Sequence, residues 1–442
     1  MLVLPSVGEV VTADSRLRLI YSLLLLLLTP LIFLRLLVRG LRQRGYWQNV
    51  GERGGQYPQD PLRNSIWIHA VSVGEMRAVQ PLIFRLRSDY PDRAIVVSCM
   101  TATGRDIARE LYANSIVCVY LPYDFFRLHR RFIGHFRPSV LLIVETEIWP
   151  NLVAACRSDN VPVVLVNARL SEKSRRGYSR FAPAYRLVSH ALQSLHAVAA
   201  QSAADAERLV SLGARNVDVS GNMKFDVQVD QALVARGRIW REALHASKRV
   251  FLAASTREGE EKMLLDAYRK GFSAEERVHL LLVLVPRHPQ RFDAVHQLIE
   301  MAGFSVCRRS KIDAPRTDVQ VWLGDSMGEM AAYIALCDVA FIGGSLQPMG
   351  GQNLIEPCAQ GKPVIMGPSI FNFADAAGLA IKAGAMRQEV DAEGVMRAAH
   401  ELLQIESMRE SASRAALAFA NAHTGATQKT MRLIAPLLNA RN

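Results

Sequence analysis

From residue 64 onward, short runs of apolar and β-branched residues alternate with amphipathic stretches of helical periodicity. The runs are apolar throughout, which is typical of parallel strands that are covered by helices on both faces of a sheet. Two successive sets of this pattern predict an α/β protein with two doubly wound domains facing across a cleft, and with ligands at the carboxyl ends of the strands. The predicted strands are 65–70, 94–100, 116–121, 139–145, 162–167 and 217–220, then 249–254, 278–285, 304–307, 319–323, 339–343 and 363–366.

The segment before this alternation has a different character. Residues 19–34 contain no charged side chain, and residues 17–38 are apolar apart from Arg18 and Arg35. A bilayer crossing takes about 20 residues, so the segment predicts a membrane-crossing anchor. A helix that lies in the membrane interface stays open as an alternative. A secretory signal peptide is disfavoured, because no small-residue cleavage site follows.

Positive charge is concentrated after the apolar segment, at Arg35, Arg39, Arg42, Arg44 and Arg53. The positive-inside rule therefore places the rest of the chain in the cytoplasm. Lys and Arg outnumber Asp and Glu by 53 to 41, which indicates an anionic partner. Nucleic acid is disfavoured, since the chain has no aromatic-basic platform or recognition motif. The basic stretches 127–137 and 173–186 fit either solvated helix faces or contacts with anionic head groups.

The six cysteines are far apart and form neither a CxxC pair nor a zinc-binding pattern. They predict buried thiols in a reducing compartment.

Carboxylates follow two strands in the first half. HAVSVGE (69–75) places Glu75 in the first turn of a helix, where the helix dipole favours a negative charge. Ser72 and Glu75 also match the common capping pair, so a purely structural role stays open. ETEIWPN (145–151) ends a strand with Glu145 and Glu147, which point the same way on an extended chain. Such a pair is costly unless it binds something or meets a cation, but no DxD motif or suitably spaced histidine supports a metal site.

Two loops of the second half suit a nucleotide. PRHPQR (286–291) leaves its strand with Arg287 and His288 placed for a phosphate. GDSMGEM (324–330) turns from strand into helix, where backbone groups of three residues could face a nucleotide: Met327, Gly328 and Glu329.

The strongest signal of the second half is FIGGSLQPMGGQNLIEP (341–357). Its two glycine pairs permit close backbone approach, and Asn353 is expected to open a helix whose N–H groups suit an anion. Glu356 would then accept from both ribose hydroxyls, although Asn353 and Glu356 also fit a plain capping pair. Neither GxGxxG nor GxxxxGK[ST] occurs, which excludes a Rossmann dinucleotide site and a P-loop.

The motifs, taken in order from about residue 16 to the C-terminus, closely resemble the 3-deoxy-D-manno-octulosonic acid (Kdo) transferases of Gram-negative lipopolysaccharide assembly. They are HAVSVGE, VETEIWPN, NARLS, GNMKFD (221–226), STREGEE, VPRHPQR, GDSMGE and FIGGSLQPMGGQN followed by EP. The resemblance implies a GT-B glycosyltransferase. Its implied regions are an anchor with a basic flank (1–45), an acceptor-binding domain (46–230), a CMP-Kdo-binding domain (231–405) and a final helical stretch that crosses back to the first domain (406–442).

The reaction implied by the resemblance is metal-independent, inverting and free of cofactors. It moves Kdo from CMP-β-Kdo to a tetraacylated, bisphosphorylated disaccharide precursor of lipid A at the inner membrane. Family resemblance assigns the general base to Glu75, and transition-state support to Glu145 and Lys224. The implied CMP site comprises Pro286, Arg287, Met327, Gly328, Glu329, Asn353, Leu354, Ile355 and Glu356.

One departure from the family pattern is GGQNLIEP, where some relatives have GGHNPLEA, but the Asn and the Glu stay in place. Two alternatives remain at this point: a membrane-associated GT-B transferase that uses a UDP-sugar, and a catalytically inactive GT-B scaffold.

Overall fold

The computed structural model of the chain describes residues 7–42, 44–226 and 229–440. The chain forms two compact units, one of residues 1–226 with 424–442 and one of residues 227–423. Each unit contains one seven-stranded sheet. The expected fold class is confirmed: two Rossmann-like α/β units of the GT-B type, with an apolar N-terminal helix.

The sheet of the first unit is parallel and has the order β3-β2-β1-β4-β5-β6-β7. Because the chain order reverses between β1 and β4, the loops that follow these two strands lie side by side, where such sheets bind ligands. The strands are β1 (Ser65–His69), β2 (Ile95–Cys99), β3 (Val117–Tyr120), β4 (Pro138–Val144), β5 (Val163–Ala168), β6 (Ala197–Ala200) and β7 (Val217–Val219).

Helices cover both faces of this sheet. Alternate residues of β1 enter separate apolar clusters, with Trp67 in one and Ile66 and Ile68 in the other. This two-sided burial explains why the strands are apolar throughout. The helices are α1 (Val7–Arg42), α2 (Val50–Arg53), α3 (Val73–Ala78), α4 (Gln80–Asp89), α5 (Ala102–Tyr112), α6 (Phe126–Phe136), α7 (Pro150–Ser158), α8 (Glu172–Ser179), α9 (Ala182–Gln193) and α10 (Ala203–Ser211).

The second sheet is also parallel, with the order β10-β11-β9-β8-β12-β13-β14. Its chain order reverses between β8 and β12, so the loops after these strands are the expected ligand-binding edge. The strands are β8 (Arg249–Thr256), β9 (Leu280–Pro286), β10 (Val306–Arg308), β11 (Val321–Leu323), β12 (Val339–Ile342), β13 (Val364–Met366) and β14 (Met386–Gln388).

Nine further helices belong to the described part of the second unit. They are α11 (Gln231–Glu242), α12 (Glu260–Gly271), α13 (Ala274–Val278), α14 (Phe292–Met301), α15 (Met330–Leu336), α16 (Ile355–Ala359), α17 (Ala374–Lys382), α18 (Ala392–Gln404) and α19 (Glu406–His423).

The C-terminal stretch is divided between the units. Helix α19 packs on α16, α17 and α18 of the second unit, and only the chain from residue 424 onward belongs to the first unit. There α20 (Ala426–Asn439) buries Ile434 and Leu438 in the core of the first sheet. The Asp226 carboxylate fixes the start of this helix, since it accepts hydrogen bonds from the N–H groups of Gly425 (2.6 Å) and Thr427 (2.5 Å).

Two strands were missing from the sequence-based assignment. Strand β6 consists of alanines and one valine, and alanine favours a helix as readily as a buried strand. Strand β14 has only three residues and pairs with β13 at the edge of the second sheet. Neither segment carries the apolar, β-branched run that marks the other strands.

Helix α1 includes the predicted anchor and continues through Pro30. Its segment Ser15–Leu41, which contains an 18-residue window of mean hydropathy 2.3, is long and apolar enough to cross a membrane by length and composition. Of the predicted anchor and basic flank, residues 1–6 and 43 lie outside the described part of the structure, as do the side chains of residues 7–14, Arg42 and Arg44.

Candidate active site

Glu75 lies in the first turn of α3, just after β1, and is 8% exposed. Its carboxylate accepts hydrogen bonds from the N–H of Val71 (2.7 Å) and from the hydroxyl of Ser72 (2.7 Å). The Ser72 hydroxyl in turn accepts from the N–H of Glu75 at 3.2 Å. The helix-capping interaction is therefore present, and it also holds a buried carboxylate in one position at the edge of the sheet.

The protonation of Glu75 is shifted strongly by its surroundings. Burial raises the pKa of this carboxyl to about 7, against the hydrogen bonds from Ser72 and Val71, and the charges of Glu145 and Glu147 raise the pKa further. A carboxylate with a pKa close to neutral is a stronger base than an ordinary carboxylate, and it is still ionised in about half of the molecules at pH 7. These properties suit a general base.

Glu145 follows directly after β4, the strand beside β1. Its φ of 61° lies in the left-handed region, which costs a non-glycine residue about 1–3 kcal/mol. The chain turns here, so the extended geometry expected for Glu145 and Glu147 is wrong. Glu147 instead accepts a hydrogen bond from Nε1 of Trp149 at 2.9 Å.

Two cations act on Glu145. Burial raises the pKa of this carboxyl, whereas the charges of Lys224 and Arg169 lower it. Lys224 lies in a short helical turn that contacts α3, and the side chain of Asn167 fixes that turn by accepting from the N–H of Met223 at 3.0 Å. The structure thus brings Glu75, Glu145 and Lys224 together at the carboxyl edge of the first sheet.

Arg169 was not singled out in the sequence, although it belongs to the motif NARLS. It follows β5, which pairs with β4, and for this reason it is near Glu145. The sequence does show a cation at the carboxyl end of a predicted strand. It indicates a contact with Glu145 only when β4 and β5 are known to be neighbours.

The glycine-rich loop after β12 is organised by a buried carboxylate. Glu260, at the start of α12, accepts hydrogen bonds from the N–H groups of Gly344 (2.7 Å), Ser345 (3.0 Å) and Leu346 (2.9 Å). It also accepts from the N–H of Arg257 at 2.8 Å. These loop N–H groups are therefore engaged inside the protein, and the loop is held against the β8 end of the sheet.

Gly343 shows why this loop needs glycine. A Cβ at this position would overlap the backbone of Ser255 and Thr256, so only a residue without a side chain can pass this close to the end of β8. Ser255 has a φ of 57°, and so both reversal points of strand order carry a left-handed non-glycine residue.

Glu261, the next residue, ties β8 to the loop after β9. Its buried carboxylate accepts from the hydroxyl of Thr256 at 3.0 Å and pairs with Arg291 at 3.0 Å. Arg291 belongs to the motif PRHPQR, so the adjacent carboxylates of Glu260 and Glu261 fix two candidate nucleotide-binding loops.

Cations gather at the same edge. Arg257 donates a hydrogen bond to Nε2 of His288. Burial and the positive charges of Arg257, Arg287 and Arg291 lower the pKa of His288. Within the described part of the chain, the Arg287 side chain makes no hydrogen bond or ion pair, which leaves its guanidinium available to an anion.

The loop after β11 places Met327 at the surface and Gly328 at a φ of 79°. Glu329 forms ion pairs with Arg236 (2.7 Å) and Arg309 (3.0 Å). Burial acts to raise the pKa of Glu329, but hydrogen bonds from Ser326 and both arginines lower it overall. Since its carboxylate is engaged, this stretch can offer a ligand mainly its backbone.

The segment Asn353–Glu356 combines a side-chain hydrogen bond just before a short helix with a carboxylate that has no partner among the described residues. The Asn353 side chain accepts from the N–H of Ile355 at 3.0 Å, so Asn353 precedes a helix that begins at Ile355. Burial raises the pKa of Glu356. Among the described residues, Glu356 has no hydrogen-bond or ion-pair partner, whereas a capping partner would have one.

Comparison with known proteins decides the family. Residues 48–227 match the family model described as 3-deoxy-D-manno-octulosonic-acid transferase (kdotransferase). The chain is 41% identical to the 3-deoxy-D-manno-octulosonic acid transferase of Bordetella pertussis, over 93% of this chain and 97% of that protein. The chain belongs to the Kdo transferase family. The resemblance found in the motifs is confirmed, and the protein is a glycosyltransferase.

A second Kdo transferase, from Haemophilus influenzae, is 34% identical over 95% of this chain and 99% of its own length. Among solved structures, UDP-GlcNAc 2-epimerase from Neisseria meningitidis matches with a TM-score of 0.55 at 13% identity, covering 84% of this chain and all of that one. This last likeness shows the shared fold alone.

The pKa of Glu75 predicts the pH dependence of this Kdo transferase. With Glu75 as the predicted general base, we expect kcat/KM to fall as pH drops below about 7, because a protonated carboxyl cannot accept a further proton. Replacing Glu147 by glutamine removes a charge that raises this pKa, so the acidic limb should move to lower pH. The measurement is a pH–rate profile of both proteins. A rate that stays at its plateau well below pH 7 in the unsubstituted protein would contradict the assignment of the limb to Glu75.

Proposed function

We propose that this Kdo transferase moves Kdo from CMP-β-Kdo to a tetraacylated, bisphosphorylated disaccharide precursor of lipid A, at the cytoplasmic face of the bacterial inner membrane. The observation that carries the proposal is the buried Glu75, whose pKa is raised to about 7 beside Glu145 in the first unit. Membership of the family supplies the sugar.

In the proposed reaction, Glu75 takes the proton of the acceptor hydroxyl as its oxygen attacks the anomeric carbon of Kdo. The bond from that carbon to the phosphate oxygen breaks, and the electron pair leaves with CMP. One displacement of this kind inverts the anomeric centre, through a transition state with oxocarbenium character as in glycoside hydrolysis. Glu145 supports the positive charge of that transition state, and Lys224 offsets the negative charge that builds on the leaving group.

The second unit is proposed to bind the donor. CMP-Kdo carries one phosphate and one sugar carboxylate, and the cations Arg257 and Arg287 match these two anions without a divalent metal. Glu356 is proposed to accept hydrogen bonds from the ribose hydroxyls, since its carboxylate has no partner among the described residues. The other proposed donor contacts are Pro286, Met327, Gly328, Glu329, Asn353, Leu354 and Ile355.

Two features of the first unit support the proposed acceptor and the proposed membrane association. The apolar α1 would hold the enzyme at the bilayer in which a lipid acceptor is embedded. Exposed basic residues of α8, such as Lys173 and Arg176, suit the two phosphates of the acceptor and anionic head groups.

Nucleotide binding tests the donor assignment. We expect CMP to bind and UDP to bind much more weakly in calorimetric titrations of the full-length protein. Arg287→Ala should weaken CMP binding by about 10- to 100-fold, because a charge-assisted hydrogen bond contributes about 1.5–3 kcal/mol. Arg238→Ala, at an exposed position of the same unit, is the matched control. Tighter binding of UDP would favour the UDP-sugar alternative, and an unchanged CMP affinity in Arg287→Ala would remove Arg287 from the site.

A further inference from the structure

The residues of α1 that contact the rest of the first unit form one stripe along the helix. They recur at helical spacing, with Tyr21 and Ser22 adjacent and the others three, four or seven positions apart, and so lie on a single face. They include Arg18, Tyr21, Ser22, Leu25, Ile32 and Leu36.

Polar groups hold the first half of the stripe. The hydroxyl of Tyr21 donates to the Asp124 carboxylate at 2.9 Å, and Nδ2 of Asn151 donates to the hydroxyl of Ser22 at 2.9 Å. Asp124 is 4% exposed and also accepts from Nε2 of His129 at 2.9 Å. The apolar helix is therefore hydrogen-bonded in its first half to a buried carboxylate of the α/β unit.

Contacts reach both ends of the segment. The guanidinium of Arg18 lies over the ring of Phe126, 6.0 Å from its centre. Near the other end, Leu36 is buried in a small cluster that includes Tyr46. At about 1.5 Å per residue, Arg18 to Leu36 spans about 27 Å. This length is close to the hydrocarbon thickness of a bilayer, about 30 Å.

If α1 crossed the bilayer, the residues of the first unit that contact it would also lie within the lipid. The residues against the centre of α1 belong to irregular loops, around Tyr123–Phe125 after β3 and around Ile148–Trp149 after β4. The carboxyl edge of the first sheet would then lie at mid-bilayer, where lipid-exposed irregular backbone does not occur. We infer that α1 lies in the plane of the membrane interface, with its outer face in one leaflet, and does not cross the bilayer.

The outer face has the chemistry of a lipid contact. Positions seven apart on this face are all large and aliphatic, and they are strongly exposed: Ile20 (53%), Leu27 (78%), Leu34 (56%) and Leu41 (75%). The exposed Arg35 flanks them and suits anionic head groups. A lipid leaflet has an apolar acyl layer beneath a charged head-group surface, which matches the aliphatic side chains and the basic charge of this part of α1.

The in-plane position has a consequence for catalysis. Asn151 ends the motif ETEIWPN, which begins with Glu145, and the same motif lines a cavity of about 270 Å³ against α1 with Ile148 and Trp149. The helix therefore holds the Glu145 loop at the membrane surface, where the head group of a lipid acceptor lies. This inference rests on the membrane association proposed above, but not on the sugar chemistry.

Depth measurement tests the inference. Single cysteines replace Ile20, Leu27, Leu34 and Leu41 in the full-length protein, carry nitroxide labels, and are studied in vesicles of phosphatidylethanolamine and phosphatidylglycerol. Collision rates with oxygen and with a water-soluble nickel complex then give the depth of each label. An in-plane helix predicts one shared depth of about 5–10 Å for all four labels. A crossing helix predicts labels at 27 and 34 that lie about 10 Å deeper than those at 20 and 41, and this result overturns the inference.

Labels at Leu25 and Ile32 are the matched controls, because these positions face the first unit and should show immobilised spectra with little oxygen contact. The unsubstituted protein gives the background from the partly exposed Cys118 and Cys307. Failure of the protein to bind the vesicles would overturn the proposed membrane association itself. Binding with unequal depths would overturn only the in-plane position, and no transfer assay enters either result.

Discussion

Replacing Glu75 by glutamine is expected to lower the rate of Kdo transfer by about 10³-fold, within the range that positioned general bases contribute. The amide cannot accept the proton of the acceptor hydroxyl, so the attack loses its base. The affinity for CMP should stay unchanged, because the proposed nucleotide contacts belong to the second unit. Initial rates of product formation and calorimetric titration with CMP measure the two effects.

Folding provides a control for this variant. Burial raises the pKa of Glu75 to about 7, above the value of about 4.3 in an unfolded chain. The folded state therefore binds more protons between these values, and the ionised Glu75 disfavours folding as pH rises through this window. Glutamine removes this cost of burying a charge. The thermal stability of Glu75→Gln at pH 8 should therefore fall by no more than the loss of one hydrogen bond would cause.

The matched control for activity is Glu207→Gln, at an exposed position of α10, which should transfer Kdo at the rate of the unsubstituted protein. Wild-type rates in Glu75→Gln would eliminate Glu75 as the base.

Replacing Glu260 by glutamine is expected to weaken CMP binding by about 100-fold. One carboxylate oxygen accepts from Ser345 and Leu346, and the other accepts from Gly344 and Arg257. Glutamine turns one of these oxygens into an NH₂ group that faces two N–H donors. Each buried donor left without an acceptor costs about 1–3 kcal/mol, so the glycine-rich loop should lose its fixed position.

Hydrogen exchange separates this effect from a direct contact with the nucleotide. The amides of Gly344, Ser345 and Leu346 should exchange faster in Glu260→Gln even without CMP, which loss of a ligand contact alone would not cause. Glu258→Gln, at an exposed position two residues earlier, should change neither exchange nor affinity. Protected loop amides and an unchanged CMP affinity in Glu260→Gln would show that this carboxylate does not organise the loop.

Much of the fold could be predicted from local sequence, because strands that are buried on both faces are runs of apolar residues. The run of β4, Pro138–Val144, is buried at every position and is apolar except for Ser139. Strands without such a mark were missed, as in the alanine-rich β6. The return of α20 to the first unit depends on its apolar face finding the core beside Ile434, which periodicity alone cannot locate.

In the candidate site, some features could be predicted from local sequence and others depend on tertiary structure. Motifs placed Glu75, Glu145 and Arg287 at strand ends, where local sequence is informative. The left-handed turn at Glu145 and the approach of Arg169 depend on β4 lying between β1 and β5, and a single sequence does not reveal this order. The bonds from Glu260 to a loop more than 80 residues away are likewise set by tertiary structure.

The central claim is most directly tested by product analysis. The full-length protein is incubated in vesicles with the bisphosphorylated tetraacyl disaccharide and with CMP-Kdo generated in situ, and the lipid is analysed by mass spectrometry. The account predicts an acceptor whose mass rises by whole Kdo units, with one CMP released for each unit added. Unmodified acceptor in the presence of an intact donor, or a sugar taken from a UDP donor in place of CMP-Kdo, would contradict it.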